Sequence, residues 1–372
     1  MTPLEEIIHE RIRRHGPMPF AAYMSLALYH PRHGYYTSGP ERSGWRGHYL
    51  TSPELDPGFA ELWQRGFRQI WDACSRPARF EIVEVGPGEG AFAAAVLGSH
   101  DDGEGFGPEL TYRLVERSPA LEERQRALVR DPRAVWSPSI TELPGIESGV
   151  VFANEVLDNL PVHVVEAQGG RVLEVCVDAQ EGRLVQSLRE PSNPELLSWL
   201  ERTGVSLPDG HRYEVPLAAE SFVRRVGAAL ERGALVLVDY GAEGAELATR
   251  PAGSLLCYSE RGVDDDPLDR PGHKDITSHV NWTAVRAALE GAGMEVHGPL
   301  PQRSVMSALG ARSLDEDLKH RHEHALRSRR GADAVAVLSR RQALGALLDP
   351  AGLGGLDVVV GLKGVDAPAF LT

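Results

Sequence analysis

At 372 residues, 42% hydrophobic and 25% charged, the chain has an ordinary globular composition and is long enough to bury a large core. Its formal net charge of −14, with no Lys/Arg-rich stretch, argues against nucleic acid, whose binders neutralise phosphates, and suits a cationic partner. No apolar run reaches the ~18 residues of a membrane span. The widely spaced Cys74, Cys176 and Cys257 form neither a disulfide framework nor a CxxC pair, so no membrane, no metal and a reducing cytoplasm are expected.

The N-terminal MTPLEEIIHERIRR carries acids straight after Met1, the pattern of a capped helix rather than a signal or transit peptide. Helix is expected over 4–29, stopping before Pro31 and Gly34, then loop over 37–58 and a helix from about Phe59 to Cys74. The rhythm then changes. FEIVEV (80–85), YRLVE (112–116), AVW (134–136), VVFANE (150–155) and ALVLVDYG (234–241) read as short buried strands separated by helical stretches such as LEERQRALV. That alternation predicts an α/β fold with a doubly wound, mostly parallel sheet.

Two stretches depart from it. VHVVEA, RVLEVCVDA and RLVQSL (162–188), separated by QGG and QEG turns, read as an antiparallel meander inserted between the fourth and fifth strands. DVVVGLKG (357–364) reads as a final strand, and the acidic loop 101–107 as a mobile excursion. The expected domains are a helical cap (1–74), a core (75–160 and 215–372) and a β-rich insertion (161–214). The basic cluster around Lys319, interleaved with acids, reads as a solvated helix face.

Glu84-Val85-Gly86-Pro87-Gly88-Glu89-Gly90 stands where the first strand turns into a helix. Glycines there let the backbone turn sharply and meet a ligand without Cβ atoms in the way. With Ala91 the segment also satisfies the dinucleotide fingerprint, so charge has to choose the ligand. Glu84 and Glu89 crowd the loop, and no Lys or Arg occurs between Glu81 and Tyr112 to help hold a pyrophosphate. S-adenosyl-L-methionine, with a sulfonium and an ammonium and no phosphate, suits acidic surroundings better. Glu116 ends the second strand, 26 residues beyond Gly90, and can accept both ribose hydroxyls. The candidate cofactor-binding residues are therefore Glu84, Gly86, Pro87, Gly88, Gly90, Glu116 and Asn154.

The glycine segment resembles motif I of the class I methyltransferases. The wider chain resembles the MidA-type family, through YMSLALYHPRHGYY (23–36), GHYLTSPEL (47–55), EIVEVGPGEG (81–90), VFANEVLDNLPVH (151–163), LVLVDYG (235–241) and DPLDRPGHKDITSHVNWTAV (266–285). Trp282 and Asn281 depart from the family pattern, where a phenylalanine and an aspartate are expected. The resemblance implies a methyltransferase whose mitochondrial relatives, complex I assembly factors, methylate a protein arginine.

Methyl transfer is an in-line displacement that mostly needs alignment and exclusion of water. The acceptor is expected at the end of the fourth strand, where Asn154, Glu155 and Asp158 stand. Two carboxylates can grip a guanidinium, and Glu155 and Asp158, three apart, would share a face if the segment were helical. Asp158 could instead cap a turn. Glu54 in TSPE could approach the cleft or belong to a helix cap, and His279 could be a general base or structural. Tyr35 and Tyr36 read as packing or as channel lining. The expected partner is a protein or small-molecule methyl acceptor of cationic character, with a homodimer left open. A small-molecule methyltransferase, a non-catalytic cofactor-binding assembly factor and a nicotinamide-dependent oxidoreductase are the alternatives.

Overall fold

Strands buried on both faces read as near-continuous apolar runs, and 149–153 and 233–238 meet that demand, while FEIVEV carries Glu81 and Glu84 among its apolar residues. The computed structural model describes residues 1–37, 52, 57–98 and 106–372. They form β1 (Arg79–Val85), β2 (Glu109–Val115), β3 (Ala134–Ser137), β4 (Gly149–Asn154), β5 (Gly233–Asp239), β6 (Glu295–Pro301) and β7 (Asp357–Lys363) of one sheet. Its order is β3-β2-β1-β4-β5-β7-β6. The first five strands run parallel, and β7 is antiparallel to both neighbours. The α/β, mostly parallel expectation holds. The sixth strand was not legible, because Gly298 and Pro299 interrupt its apolar pattern and a register shift lies between His297 and Leu300.

Contacts divide the chain into two units, 42–155, 225–240 and 289–372 forming one and 1–41, 156–224 and 241–288 the other. The first holds the seven-stranded sheet. On it lie α1 (Pro57–Ala73), α2 (Ala91–Gly98) and α3 (Pro119–Leu128). Phe152 of β4 anchors the packing, with Phe92 stacked at 4.9 Å and Trp63 tilted at 5.1 Å between centroids.

The second unit is built on an antiparallel sheet of Met18–Pro19, His163–Gln168, Arg171–Gln180, Arg183–Arg189 and Arg212–Val215. The expected meander supplies three of these strands. The expected continuous helix over 4–29 is two helices, Pro3–His15 and Phe20–Tyr29. Gly16, at φ 81°, ends the first; Met18 and Pro19 then pair with Val177 and Cys176. Residues 241–288, read from the sequence as core, group by contacts with this unit. Within it Trp199 donates to the buried Glu220 carboxylate at 2.5 Å. Among the described residues no helix is long and apolar enough to cross a membrane.

β4 and β5 start side by side on glycines because their backbones leave no room for Cβ atoms. A Cβ on Gly233, whose φ is +130°, would lie 1.8 Å from the Gly149 carbonyl oxygen. Gly233→Ala should therefore lower stability by about 2 kcal/mol or more in urea unfolding. Gly345→Ala, within the helix Gly331–Leu348 and with nothing within 4 Å among the described residues, should raise it by about 0.5–1 kcal/mol.

Candidate active site

The loop after β1 turns through three left-handed glycines, with φ of 66° at Gly86, 53° at Gly88 and 85° at Gly90. Any Cβ would strain these positions. Gly86 N–H donates to the Val115 carbonyl at 3.1 Å, and Gly90 N–H to that of Pro87 at 2.8 Å, which fixes the loop to β2 and closes its turn. Among the described residues a Cβ on Gly88 would meet nothing within 4 Å, so the face of the loop there is open to them, whereas one on Gly90 would touch Gln125 at 3.2 Å.

The acidic residues are arranged less simply than their sequence positions suggest. Glu84 is buried in the sheet and accepts from the Tyr112 hydroxyl at 2.7 Å. Burial pushes its pKa up to about 8, against the lowering effect of that hydrogen bond, so it is largely neutral at pH 7. Glu89 pairs with Arg124 of α3 at 2.9 Å. The glycine loop thus does have a cation beside it, brought from 35 residues further along the chain.

Glu116, at the end of β2, is 8% exposed. Its Oε1 accepts from Ser118 N–H at 2.7 Å and its Oε2 from Gln125 Nε2 at 3.2 Å. Burial raises its pKa to about 7, opposed by those hydrogen bonds and by Arg117. Ser118 also caps α3, accepting from Leu121 N–H at 3.4 Å. Gln125 is a residue the sequence reading missed. Its only signal was a polar residue on the inward face of an amphipathic helix.

At the end of β4 the backbone bends sharply. Glu155 sits at φ 52°, a left-handed conformation that is costly for a non-glycine residue and concentrated at functional sites. Its carboxylate accepts from Asn154 Nδ2 at 2.9 Å and from the Tyr240 hydroxyl at 3.2 Å. Asn154 Oδ1 is buried with no hydrogen-bond partner among the described residues. Tyr240, directly after β5, was also missed, although it stands in the LVLVDYG block.

The segment after Glu155 is not helical, so Glu155 and Asp158 do not share a helix face. Leu157–Leu160 is a turn closed by Leu160 N–H on the Leu157 carbonyl at 3.2 Å. Asp158 belongs to the second unit, is 1% exposed, and its carbonyl accepts from Ser278 N–H at 2.9 Å. The next residue, Asn159, donates to Asp275 at 3.0 Å, and its carbonyl accepts from the Tyr29 hydroxyl at 3.1 Å. Tyr36 donates to the other oxygen of Asp275 at 2.8 Å, and Tyr35 is buried. His279, in the same unit, has its ring Nδ1 3.2 Å from Arg250 and its backbone N–H on Ser254 Oγ at 3.0 Å. Burial and the Arg250 charge lower its pKa, so the imidazole is neutral at pH 7. Glu54 lies outside the described residues.

The strand order, with one antiparallel strand and a glycine loop after β1, is that of a class I methyltransferase. Residues 65–300 match the family described as "Putative S-adenosyl-L-methionine-dependent methyltransferase", and the chain belongs to that family. A crystal structure from Burkholderia thailandensis, of a "likely methyl transferase" bound to S-adenosyl-homocysteine, superposes with a TM-score of 0.87 at 29% identity, covering 99% of this chain and 94% of that one. The Drosophila melanogaster protein arginine methyltransferase NDUFAF7 homolog, mitochondrial, is 29% identical over 358 residues, covering 85% of this chain and 77% of its own. Its Homo sapiens counterpart is 26% identical over 342 residues, covering 83% and 74%. The MidA-type resemblance holds, and the protein is an S-adenosylmethionine-dependent methyltransferase. The cytoplasmic expectation does not stand, because these curated relatives are named as mitochondrial proteins.

The residues present fit that cofactor. The open Gly88 face allows close approach, and the orphaned Asn154 Oδ1 is an acceptor in want of a donor. A carboxylate has about four acceptor positions. Ser118 and Gln125 each use one on a different oxygen of Glu116, and the Arg117 backbone also bonds the carboxylate, which leaves acceptor capacity for ligand hydroxyls. Hydroxyl donors favour the ionised carboxylate. Affinity for S-adenosylhomocysteine should therefore be full above pH 7 and fall as the pH drops through about 7. Calorimetry across pH 5.5–8.5, buffer values chosen to bracket about one and a half units either side of that pKa, would show this. Glu116→Gln should bind weakly throughout and lose the slope.

Proposed function

We propose that the enzyme transfers a methyl group to a side-chain nitrogen of a protein arginine, and that Glu155 holds the acceptor. Gly86, Pro87, Gly88, Gly90, Asn154 and Glu116 hold the cofactor, with Glu84 buttressing the loop from within the sheet. The bound cofactor supplies a methyl on a sulfonium leaving group. The observation that carries the acceptor reading is the Glu155 carboxylate, held in a left-handed turn at the end of β4 by Asn154 and Tyr240. A carboxylate so fixed can pair with two guanidinium nitrogens and leave the third to attack the methyl carbon. As the nitrogen–carbon bond forms, the carbon–sulfur bond breaks and the nitrogen releases a proton to solvent or a nearby base. The names of the curated relatives support arginine as the acceptor class. The acidity of the chain suits a cationic partner.

Incubation of the enzyme with labelled methyl donor and cell extract, followed by acid hydrolysis, should place label in methylarginine of the protein fraction. Label confined to acid-soluble molecules would replace this reading with a small-molecule methyltransferase. Glu155→Gln should lower kcat on the order of 10²-fold while S-adenosylhomocysteine affinity stays within about twofold. His279→Gln should change kcat by less than about threefold, since its neutral ring is held by Arg250; a large loss with a shifted pH profile would make it a base instead.

A further inference from the structure

Gln125 is fully buried, and every polar atom of its side chain is engaged. Nε2 donates to the Gly88 carbonyl at 2.7 Å and to Glu116 Oε2 at 3.2 Å. Oε1 accepts from the indole N–H of Trp136 at 3.1 Å. An indole nitrogen is only a donor, so it decides which end of the amide carries the oxygen. With that end fixed, both amide hydrogens face the glycine loop and the carboxylate. Gly90 makes this possible, because a Cβ there would press on Gln125 Cγ.

We propose that Gln125 is a positioning residue for the cofactor ribose, tying the Glu116 carboxylate to the Gly88 backbone so that the two holds on the cofactor form one rigid element. Without this link, the carboxylate could rotate about its terminal torsion and present its open acceptor positions elsewhere. With it, one oxygen is set by Ser118 N–H and the other by Gln125, so the plane is defined from both sides. Trp136 is part of the device, and its ring is covered by Arg126 at 4.1 Å from the centroid. Leucine at 125 would strand the Gly88 carbonyl and the indole N–H. Glutamate would set a second carboxyl against Glu116, where the two could not both ionise. The inference rests on Glu116 as the ribose ligand but not on the identity of the methyl acceptor.

The test compares two ligands, S-adenosylhomocysteine and its 2′-deoxy analogue, by calorimetry on wild-type protein, Gln125→Leu and Trp136→Phe, with unliganded Tm as the folding control. Wild type should prefer the ribose form by about 10- to 100-fold, the worth of a hydrogen bond to a charged group. Gln125→Leu should weaken S-adenosylhomocysteine by about tenfold or more and the analogue, which offers Glu116 only the 3′ hydroxyl, by a smaller factor, so that the preference narrows. Trp136→Phe, which keeps Gln125 but frees its amide to flip, should reduce the preference by a smaller factor and covers the case in which the leucine variant fails to fold. Equal weakening of both ligands, or an unchanged preference in both variants, would overturn the proposal while leaving Glu116 as the ribose ligand. A wild type that does not discriminate between the ligands would remove Glu116 from the ribose, and this inference with it.

Discussion

Strands β1, β2, β4 and β5 all end at the same edge of a parallel sheet, and there the chain must leave a fully buried ladder abruptly. Backbone groups released from the ladder need new partners, and the turns that supply them use uncommon dihedral angles. Gly86, Gly88 and Gly90 follow β1, Glu116 follows β2, Glu155 in its left-handed turn follows β4, and Tyr240 follows β5. The polar equipment of the enzyme is thus the set of residues that solves the problem of ending these strands. A parallel sheet collects the solutions at one edge, and that is why the residues proposed to hold the cofactor come from segments far apart in sequence.

Burial sets the electrostatics of this edge more than formal charge does. Glu84 contributes little negative charge at neutral pH because the sheet desolvates it, and the hydrogen bond from Tyr112 only partly opposes that effect. Glu89 is offset by Arg124. The choice of S-adenosylmethionine over a dinucleotide, made from crowded acids and missing cations, reached the right ligand although the crowding is largely neutralised in the fold. What remains is a carboxylate poised near neutrality at Glu116, open backbone at Gly88 and an unsatisfied amide oxygen at Asn154. These features suit a ligand rich in hydroxyl and amino donors.

The second unit shows a similar economy around the segment after β4. Three of the sequence blocks that suggested the family meet there: Tyr29 and Tyr36 from one, Asn159 from another and Asp275 from a third. Their hydrogen bonds go to backbone carbonyls and to one another's side chains. They hold a turn whose path the chain could not otherwise fix, since 155–162 has no helix or strand ladder of its own. Polar residues in such a network are demanding, because each buried group left unpaired costs about 1–3 kcal/mol. Asp158 is carried on this clamped turn. Tyr36, which could have been read as channel lining, is by its bond to Asp275 part of the clamp, and Tyr35 packs edge-on against it at 5.0 Å between centroids.

By itself the sequence determined six of the seven strands of the main sheet, the glycine loop, the cofactor class and the family. Those properties are written in local patterns: β-branched runs buried on both faces, left-handed turns that only glycine tolerates, and blocks of residues in a fixed order. It also placed Glu116 and Glu155 at strand ends, because a strand boundary is a local event. The break between the first two helices was only half legible, since Gly16 and Pro17 are visible but the strand partner at Val177 is not. Strand β6 was hidden by its own Gly-Pro. Only the tertiary structure decided that Arg124 neutralises Glu89, that Gln125 joins Gly88 to Glu116, that Tyr240 holds Glu155, and that Asp158 lies on a turn rather than a helix. Each of these depends on a partner tens of residues away or on the path of a loop, and neither periodicity nor propensity carries that information.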